Sequence, residues 1–182
     1  MLDFDVSPVI AAVRTKEELQ KAFSSEVEVI FYLTADIMTL ANEVKAAHDA
    51  GKKLFIHMDL AEGVGKDKCG LLYVKALGID GVISTRVNII KMARELGLVT
   101  VQRFFIVDSR SVDTTVEAIK ASKPDMIEVM PGVITKIISR LCTKVDMPVI
   151  AGGLIDEKSE IISALQHGAA AVSVGKYKLW NE

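Results

Sequence analysis

Short runs of β-branched and aliphatic residues alternate with amphipathic segments along the whole chain. Eight of these runs have the length and composition of buried strands: residues 9–13, 27–33, 53–60, 81–85, 99–107, 125–130, 147–152 and 169–175. In the seven segments between them, apolar residues repeat at helical spacing, as at Ile134, Ile138 and Leu141. This alternation predicts parallel strands joined by crossover helices.

The number of strands selects the architecture. Eight strand and helix units form either a closed (β/α)8 barrel or an open doubly wound sheet, and the count favours the barrel. At 182 residues the chain is shorter than the roughly 200 that such barrels usually need. Only residues 176–182 follow the eighth run. We therefore expect one compact TIM-like barrel domain over residues 1–182, with the eighth helix missing or reduced to a turn and its flank covered by Leu179 and Trp180 or by a second subunit.

Composition places the chain among ordinary globular proteins. Hydrophobic residues make up 50% and charged residues 25% of the chain, and the formal charge is −2. A charge this close to zero does not require nucleic acid or an anionic membrane as a partner. No apolar run approaches the ~18 residues of a membrane span, and the N-terminus lacks the pattern of a secretion signal. We expect a cytoplasmic protein with reduced thiols at Cys69 and Cys142.

In a barrel of this kind, chemistry occurs at the C-terminal ends of the strands. In residues 53–60, Leu54, Ile56 and Met58 share one face, which suits the helix layer, so His57 and Asp59 should point inward. The same alternation predicts further inward polar residues on later strands: Ser84, Arg86, Gln102, Glu128 and Ser173. For the fifth strand the register stays open, because Gln102 and Arg103 lie on opposite faces and only one can point inward.

The ends of the last two strands predict a phosphate site. Barrels that bind phosphorylated ligands present backbone N–H groups from loops seven and eight to the phosphate. Gly152, Gly153 and Gly175 stand at these loops, where a Cβ would hold the backbone away from an anion. Ser173 and Lys176 add a hydroxyl and a point charge. Tight turn geometry alone is the alternative explanation of these glycines.

The segment LFIHMDLAEGVGKDKCG, residues 54–70, permits several interpretations. The Walker A template fails because Asp67 stands where it requires Ser or Thr, and the dinucleotide template fails because Lys68 stands where it requires Gly. A metal shared by His57 and Asp59 with a third carboxylate is less favoured than a polar ligand pocket, so we expect neither metal nor cofactor. The glycines that follow predict a mobile loop beside the pocket.

Six motifs in fixed order resemble one known family. They are HMDL at 57–60, GVISTR at 81–86, QRFF at 102–105, DMIEVMPG at 125–132, AGGLI at 151–155 and KLW at 178–180. Together they resemble the glycerol uptake operon antiterminator family, from residue 8 to residue 180. The resemblance implies a cytosolic regulator that responds to glycerol 3-phosphate and acts on leader mRNA. It also implies a phosphate on the glycines of loops seven and eight, with the glycerol hydroxyls near His57, Asp59 or Glu128.

Three functions remain open from the residues themselves, and the third is a protein that only binds a metabolite or acts as a scaffold. The first is a ligand-responsive RNA-binding regulator, for which a homo-oligomer is also considered. Its RNA binding is implied by the resemblance alone, because basic residues are scattered along the sequence. The second is a phosphate-binding barrel enzyme, an isomerase, lyase or phosphodiesterase, that uses Asp59, His57 and Glu128 for proton transfer or hydrolysis. Fold does not decide between them.

Overall fold

Eight parallel strands form a closed barrel in the computed structural model, which describes residue 4 and residues 7–181. Each strand pairs with the next, and the eighth pairs with the first. The strands are β1 Val9–Val13, β2 Val29–Tyr32, β3 Lys53–His57, β4 Gly81–Ser84, β5 Val99–Phe105, β6 Met126–Met130, β7 Val149–Gly152 and β8 Ala171–Val174. The predicted (β/α)8 barrel is confirmed. Residues 1–3, 5, 6 and 182 of the predicted domain lie outside the described residues.

Helices connect successive strands on the outside of the barrel. They are α1 Lys16–Phe23, α2 Leu40–Asp49, α3 Lys68–Ala76, α4 Val87–Glu95, α5 Ser109–Ser122, α6 Thr135–Cys142 and α7 Lys158–Gln166. Four of them are followed by a glycine with positive φ, between +71° and +101°, where the chain turns back toward the sheet: Gly51, Gly78, Gly97 and Gly168. None of the described helices is long and apolar enough to cross a membrane.

Side-chain alternation divides the buried residues into an inner and an outer layer. The inner layer fills the barrel with residues such as Phe31, Phe55 and Ile83. Leu54, Ile56 and Met58 belong to the outer layer between strands and helices, which confirms the predicted alternation in β3. Gly81 stands beside Phe55 in the interior, and a Cβ on it would lie 2.2 Å from the phenyl ring. Glycine here makes room for the aromatic ring that packs the lower barrel.

No full helix follows β8 in the described residues. The chain makes a single 3₁₀ turn at Tyr177–Leu179 and then buries Trp180, which is 2% exposed. The indole Nε1 donates a hydrogen bond to the carbonyl oxygen of Val174 at 2.7 Å. Tyr177 packs edge-on against the indole ring, and Leu179 is also buried. The prediction of a reduced eighth helix, with Leu179 and Trp180 covering the flank, is confirmed.

Candidate functional site

A cavity of about 690 Å³ opens at the C-terminal ends of the strands. Six of the residues that the sequence predicts for the site line it: His57, Asp59, Gly153, Ser173, Gly175 and Lys176. His57 and Asp59 come from β3 and its loop, whereas the other four come from β7, β8 and their loops, on the far side of the barrel. The predicted polar wall and the predicted phosphate loops therefore face one another across a single cavity.

A buried hydrogen-bond network lies under the cavity. Glu128 on β6 is fully buried, and its two carboxylate oxygens have different partners. The hydroxyl of Ser173 donates to Oε1 at 2.5 Å, and Nε of Arg103 donates to Oε2 at 2.5 Å. Charge-assisted bonds of this kind are short and strong. Glu128 thus links β5 to β8 from below, and it does not line the cavity that it was predicted to line.

Gly152 serves this network. A Cβ on Gly152 would lie 2.5 Å from Oγ of Ser173 and 2.6 Å from Oε1 of Glu128, so any side chain would collide with their hydrogen bond. Gly152 itself does not line the cavity, unlike Gly153. Its absent side chain clears space for the network, and a phosphate contact by Gly152 stays a prediction from sequence.

The register of β5 is settled in favour of Arg103. Its side chain lies inside the barrel, lines the cavity and is 6% exposed. Gln102 faces the helices instead, where its Oε1 accepts a hydrogen bond from Ser122 of α5 at 2.5 Å. The prediction that Gln102 points into the pocket was therefore wrong. One signal in the sequence could have identified Arg103: Glu128 was predicted to point inward, and a buried carboxylate requires a partner.

The predicted inward orientation of Ser84 and Arg86 was also wrong. Ile83 packs in the barrel interior, so alternation turns Ser84 outward and brings Thr85 to the cavity wall. All three residues nevertheless contact Asp59. Its Oδ1 accepts from Oγ of Ser84 at 2.7 Å and lies 3.7 Å from Nε of Arg86. Its Oδ2 accepts from the backbone N–H and the hydroxyl of Thr85 at 2.7 and 2.8 Å.

These contacts set the ionisation of Asp59. Burial acts to raise its pKa, but the hydrogen bonds from Thr85 and Ser84, with His57 nearby, outweigh burial and lower the pKa from its usual value. Asp59 is therefore an ionised carboxylate held in a fixed orientation at the mouth. Thr85, which the sequence analysis did not select, supplies two of its three hydrogen bonds.

His57 is a buried, neutral imidazole. It is 3% exposed, and no described atom makes a hydrogen bond to its Nδ1. Burial, followed by the positive charge of Arg103, lowers the pKa of His57 to about 4, while Asp59 acts in the opposite direction. At neutral pH the ring therefore offers the cavity an uncharged hydrogen-bonding group.

The stability of the fold should depend on pH through His57. An unfolded histidine has a pKa of 6.5 and the folded residue about 4, so between these values the unfolded state binds more protons. The stabilisation is complete above pH 6.5 and is lost as the pH falls toward 4, by at most about 3 kcal/mol. We expect His57→Gln to flatten this slope in urea unfolding at a series of pH values. His167→Gln, at the exposed end of α7, should retain it, and an unchanged slope in His57→Gln would refute the assignment.

The loops that are predicted to bind phosphate carry a side chain that is already engaged. Nζ of Lys176 lies 2.9 Å from Oδ1 of Asp156. Gly153 has φ +76°, and a Cβ on Gly175 would make only an ordinary contact, 3.7 Å from the carbonyl oxygen of Ala12. Both glycines line the cavity.

The loop after β3 is tied to its neighbour. The backbone N–H of Ile37 donates to the carbonyl oxygen of Glu62 at 3.0 Å, and that of Glu62 donates to Ala35 at 2.7 Å. Asp67 caps α3 through the N–H of Gly70 at 2.9 Å. Hydrogen bonds thus hold the loop at both ends, and its mobility stays a prediction from sequence. Across residue 4 and residues 7–181, no group of three His, Cys, Asp or Glu side chains gathers as a metal site.

Comparison with known proteins agrees with the motifs. The family model for the glycerol-3-phosphate responsive antiterminator matches residues 9–180. The uncharacterized protein YgcP of Escherichia coli (strain K12) is 37% identical over 175 residues, 96% of this chain and 92% of its own length.

Two solved structures resemble the barrel over nearly its whole length. The glycerol uptake operon antiterminator regulatory protein of Listeria monocytogenes superposes with a TM-score of 0.93 at 31% identity, covering 98% of this chain and 97% of that one. A glycerol uptake operon antiterminator-related protein of Thermotoga maritima gives 0.85 at 31% identity, covering 94% and 96%. This chain belongs to the glycerol-3-phosphate responsive antiterminator family.

Proposed function

We propose that this protein is a cytoplasmic transcription antiterminator that binds glycerol 3-phosphate in the cavity at the barrel mouth. The ligand controls its action on the leader mRNA of a glycerol uptake operon. One observation carries the ligand site. Two loops with glycines at the cavity wall and a wall of hydrogen-bonding side chains face each other across one cavity of about 690 Å³. A small phosphorylated polyol can place its phosphate against the glycine loops and its hydroxyls against the polar wall.

The pose follows from the chemistry of the two sides. The phosphate takes the backbone N–H groups at Gly153 and Gly175, with the charge of Lys176 nearby. The glycerol hydroxyls reach His57 and Asp59 on the opposite wall. Asp59 accepts hydrogen bonds from a hydroxyl, and the neutral ring of His57 both donates and accepts, so a polyol is matched at several points.

The ionisable groups favour binding over turnover. The carboxylate of Asp59 has a lowered pKa and three hydrogen bonds, which makes it a weak base. Glu128 is engaged by Arg103 and Ser173 beneath the cavity. The pKa of His57 is about 4, far from the value near the working pH that proton transfer uses best. The enzyme alternative would need these groups to be released, so we favour a non-catalytic sensor.

Leader mRNA enters the proposal through the family. Several basic residues stand near the mouth, among them Lys66, Arg86 and Lys176, but two of them contact Asp59 or Asp156. Family membership is thus the support for RNA as the macromolecular partner. A homo-oligomer stays a prediction from sequence.

Calorimetry with glycerol 3-phosphate tests the ligand site. We expect the wild type to bind, and Gly153→Asp to bind at least tenfold more weakly because its carboxylate repels the phosphate. Gly51→Asp is a matched control: its φ of +71° is close to the +76° of Gly153, so backbone strain is similar, but Gly51 ends α2, away from the mouth. Equal losses in both variants, or no binding by the wild type, would count against the site.

A gel-shift assay tests the regulatory part. We expect the leader RNA to bind with an affinity that changes when glycerol 3-phosphate is added, and Gly153→Asp to abolish this change while Gly51→Asp retains it. Turnover of a glycerol or sugar phosphate by the wild type, lost in Asp59→Asn, would favour the enzyme instead.

A further inference from the structure

Arg103 is a buried cation with unused hydrogen-bonding capacity. Its Nε is bonded to Glu128, but Nη2 is buried and has no hydrogen-bond partner among the described residues, although the side chain lines the cavity. A buried donor without a partner costs about 1–3 kcal/mol, and more when the group is charged. A guanidinium with an unpartnered donor at the wall of a cavity can bind a hydrogen-bond acceptor of a ligand.

The other side chains predicted for the anion are less available. The hydroxyl of Ser173 has one proton, and it is donated to Glu128 at 2.5 Å. Lys176 is paired with Asp156 at 2.9 Å. The phosphate loops therefore offer backbone N–H groups, while the side chains beside them are already engaged. Arg103, in contrast, has a charged donor, Nη2, for which the described residues provide no acceptor.

We propose that the guanidinium of Arg103 binds an oxygen of the ligand's phosphate group from the floor of the cavity, turning so that its buried Nη2 meets that oxygen, and that Glu128 and Ser173 hold the guanidinium close to this contact. The inference deepens the proposed function and rests on it for the identity of the ligand. It assigns Arg103 as the residue that distinguishes a phosphorylated polyol from a neutral one.

The geometry brings Arg103 to the phosphate side. Glu128 accepts from Arg103 through one oxygen and from Ser173 through the other, so a single carboxylate separates the guanidinium from β8. Gly175 lies two residues beyond Ser173, at the cavity wall. A phosphate on the N–H groups of loops seven and eight can therefore present another oxygen downward to Arg103. The planar guanidinium suits phosphate geometry, and its pairing with Glu128 holds it nearby.

Binding of an anion at Arg103 should also change the pKa of His57. Three charged groups act on the imidazole: Arg103 from β5, Asp59 at the end of β3 and Lys66 in the loop beyond it. A bound phosphate would offset the positive charge of Arg103, one of the causes that lower the pKa of His57. We expect the pKa of His57, followed by NMR of its ring protons, to rise when inorganic phosphate saturates the site.

Arg103→Lys isolates the proposed contact. A lysine ammonium ends near the place of Cζ, within reach of an ion pair with Glu128, but nothing stands at the place of Nη2. We expect calorimetry to show about 10–100-fold weaker binding of glycerol 3-phosphate, as for loss of a hydrogen bond to a charged group. Any weak binding of glycerol should be unchanged. Arg140→Lys is the control, because Arg140 is exposed near Asp113 on α5, far from the mouth.

The outcomes separate this inference from the proposed function. Binding of glycerol 3-phosphate by Arg103→Lys within threefold of the wild type would overturn the role of Arg103 and leave the regulator standing. A wild type that binds inorganic phosphate but not glycerol 3-phosphate would overturn the proposed ligand, and loss of phosphate binding in Arg103→Lys would still support the anion site. A wild type that binds neither would overturn both.

A second measurement on the wild type covers a variant that does not fold. In protein labelled with ¹⁵N-arginine, inorganic phosphate should shift the side-chain signals of Arg103 and leave those of Arg140 in place. Unshifted Arg103 signals at saturating phosphate would overturn the proposal.

Discussion

Replacing Glu128 with alanine is expected to lower the free energy of unfolding by about 3–5 kcal/mol, because it leaves the guanidinium of Arg103 buried without a counter-ion. Arg103 is 6% exposed and Glu128 is fully buried, so solvent cannot replace the lost carboxylate. The hydroxyl of Ser173 loses its acceptor at the same time. Urea unfolding followed by circular dichroism measures the change.

Two further variants show whether the buried charge is the cause. Glu117→Ala removes a carboxylate that is 73% exposed and paired with Lys120 on the surface of α5, and it should cost less than about 1 kcal/mol. Adding Arg103→Met to Glu128→Ala removes the stranded cation and should restore most of the lost stability. If the double variant were less stable than Glu128→Ala alone, the buried ion pair would not be the origin of the effect.

The barrel could be predicted from sequence because its signals are local and repeated. Each strand is a short apolar run, and glycines such as Gly51 and Gly97 mark where helices turn back to the sheet. Eight repetitions leave few architectures. An error in one element would not have changed the count enough to alter the fold.

The orientation of individual polar residues was harder to predict because alternation fixes only relative positions. In β3 the aliphatic residues on one face identify the helix side, and His57 was placed correctly. In β4 and β5 both faces carry side chains that can be buried, so a shift of one residue exchanged Ser84 for Thr85 and Gln102 for Arg103. Ile83 in the interior and Ser122 on α5 decide these cases, and both are tertiary contacts.

The hydrogen-bond network under the cavity contains several of the residues that the sequence predicted for the ligand site. The network comes from four adjacent strands and consists of Arg103, Glu128, Ser173 and Gly152. The buried carboxylate requires the cation, and the glycine makes room for the serine and the carboxylate. The sequence analysis assigned Glu128, Ser173 and Gly152 to the ligand directly. The structure places Glu128 and Gly152 one layer lower, where Glu128 accepts hydrogen bonds from Arg103 and Ser173 and Gly152 leaves room for them.

Replacing Trp180 with alanine is the second change expected to cost about 3–5 kcal/mol of unfolding free energy, the range for removing a buried aromatic side chain. In the described part of the chain no full helix follows β8, and the indole covers this flank: it packs in the outer layer with Leu179 and Val174 between β8 and α1. Trp180→Phe retains most of the apolar contact but leaves the carbonyl oxygen of Val174 without its donor, and it should cost only about 1–2 kcal/mol. Leu72→Ala, at a position 45% exposed on α3, is the control for a large apolar side chain outside the core. Thermal and urea unfolding should rank the variants in the order Leu72→Ala, Trp180→Phe, Trp180→Ala. A Trp180→Ala variant as stable as the Leu72→Ala control would mean that another surface, such as a second subunit, covers the flank in solution.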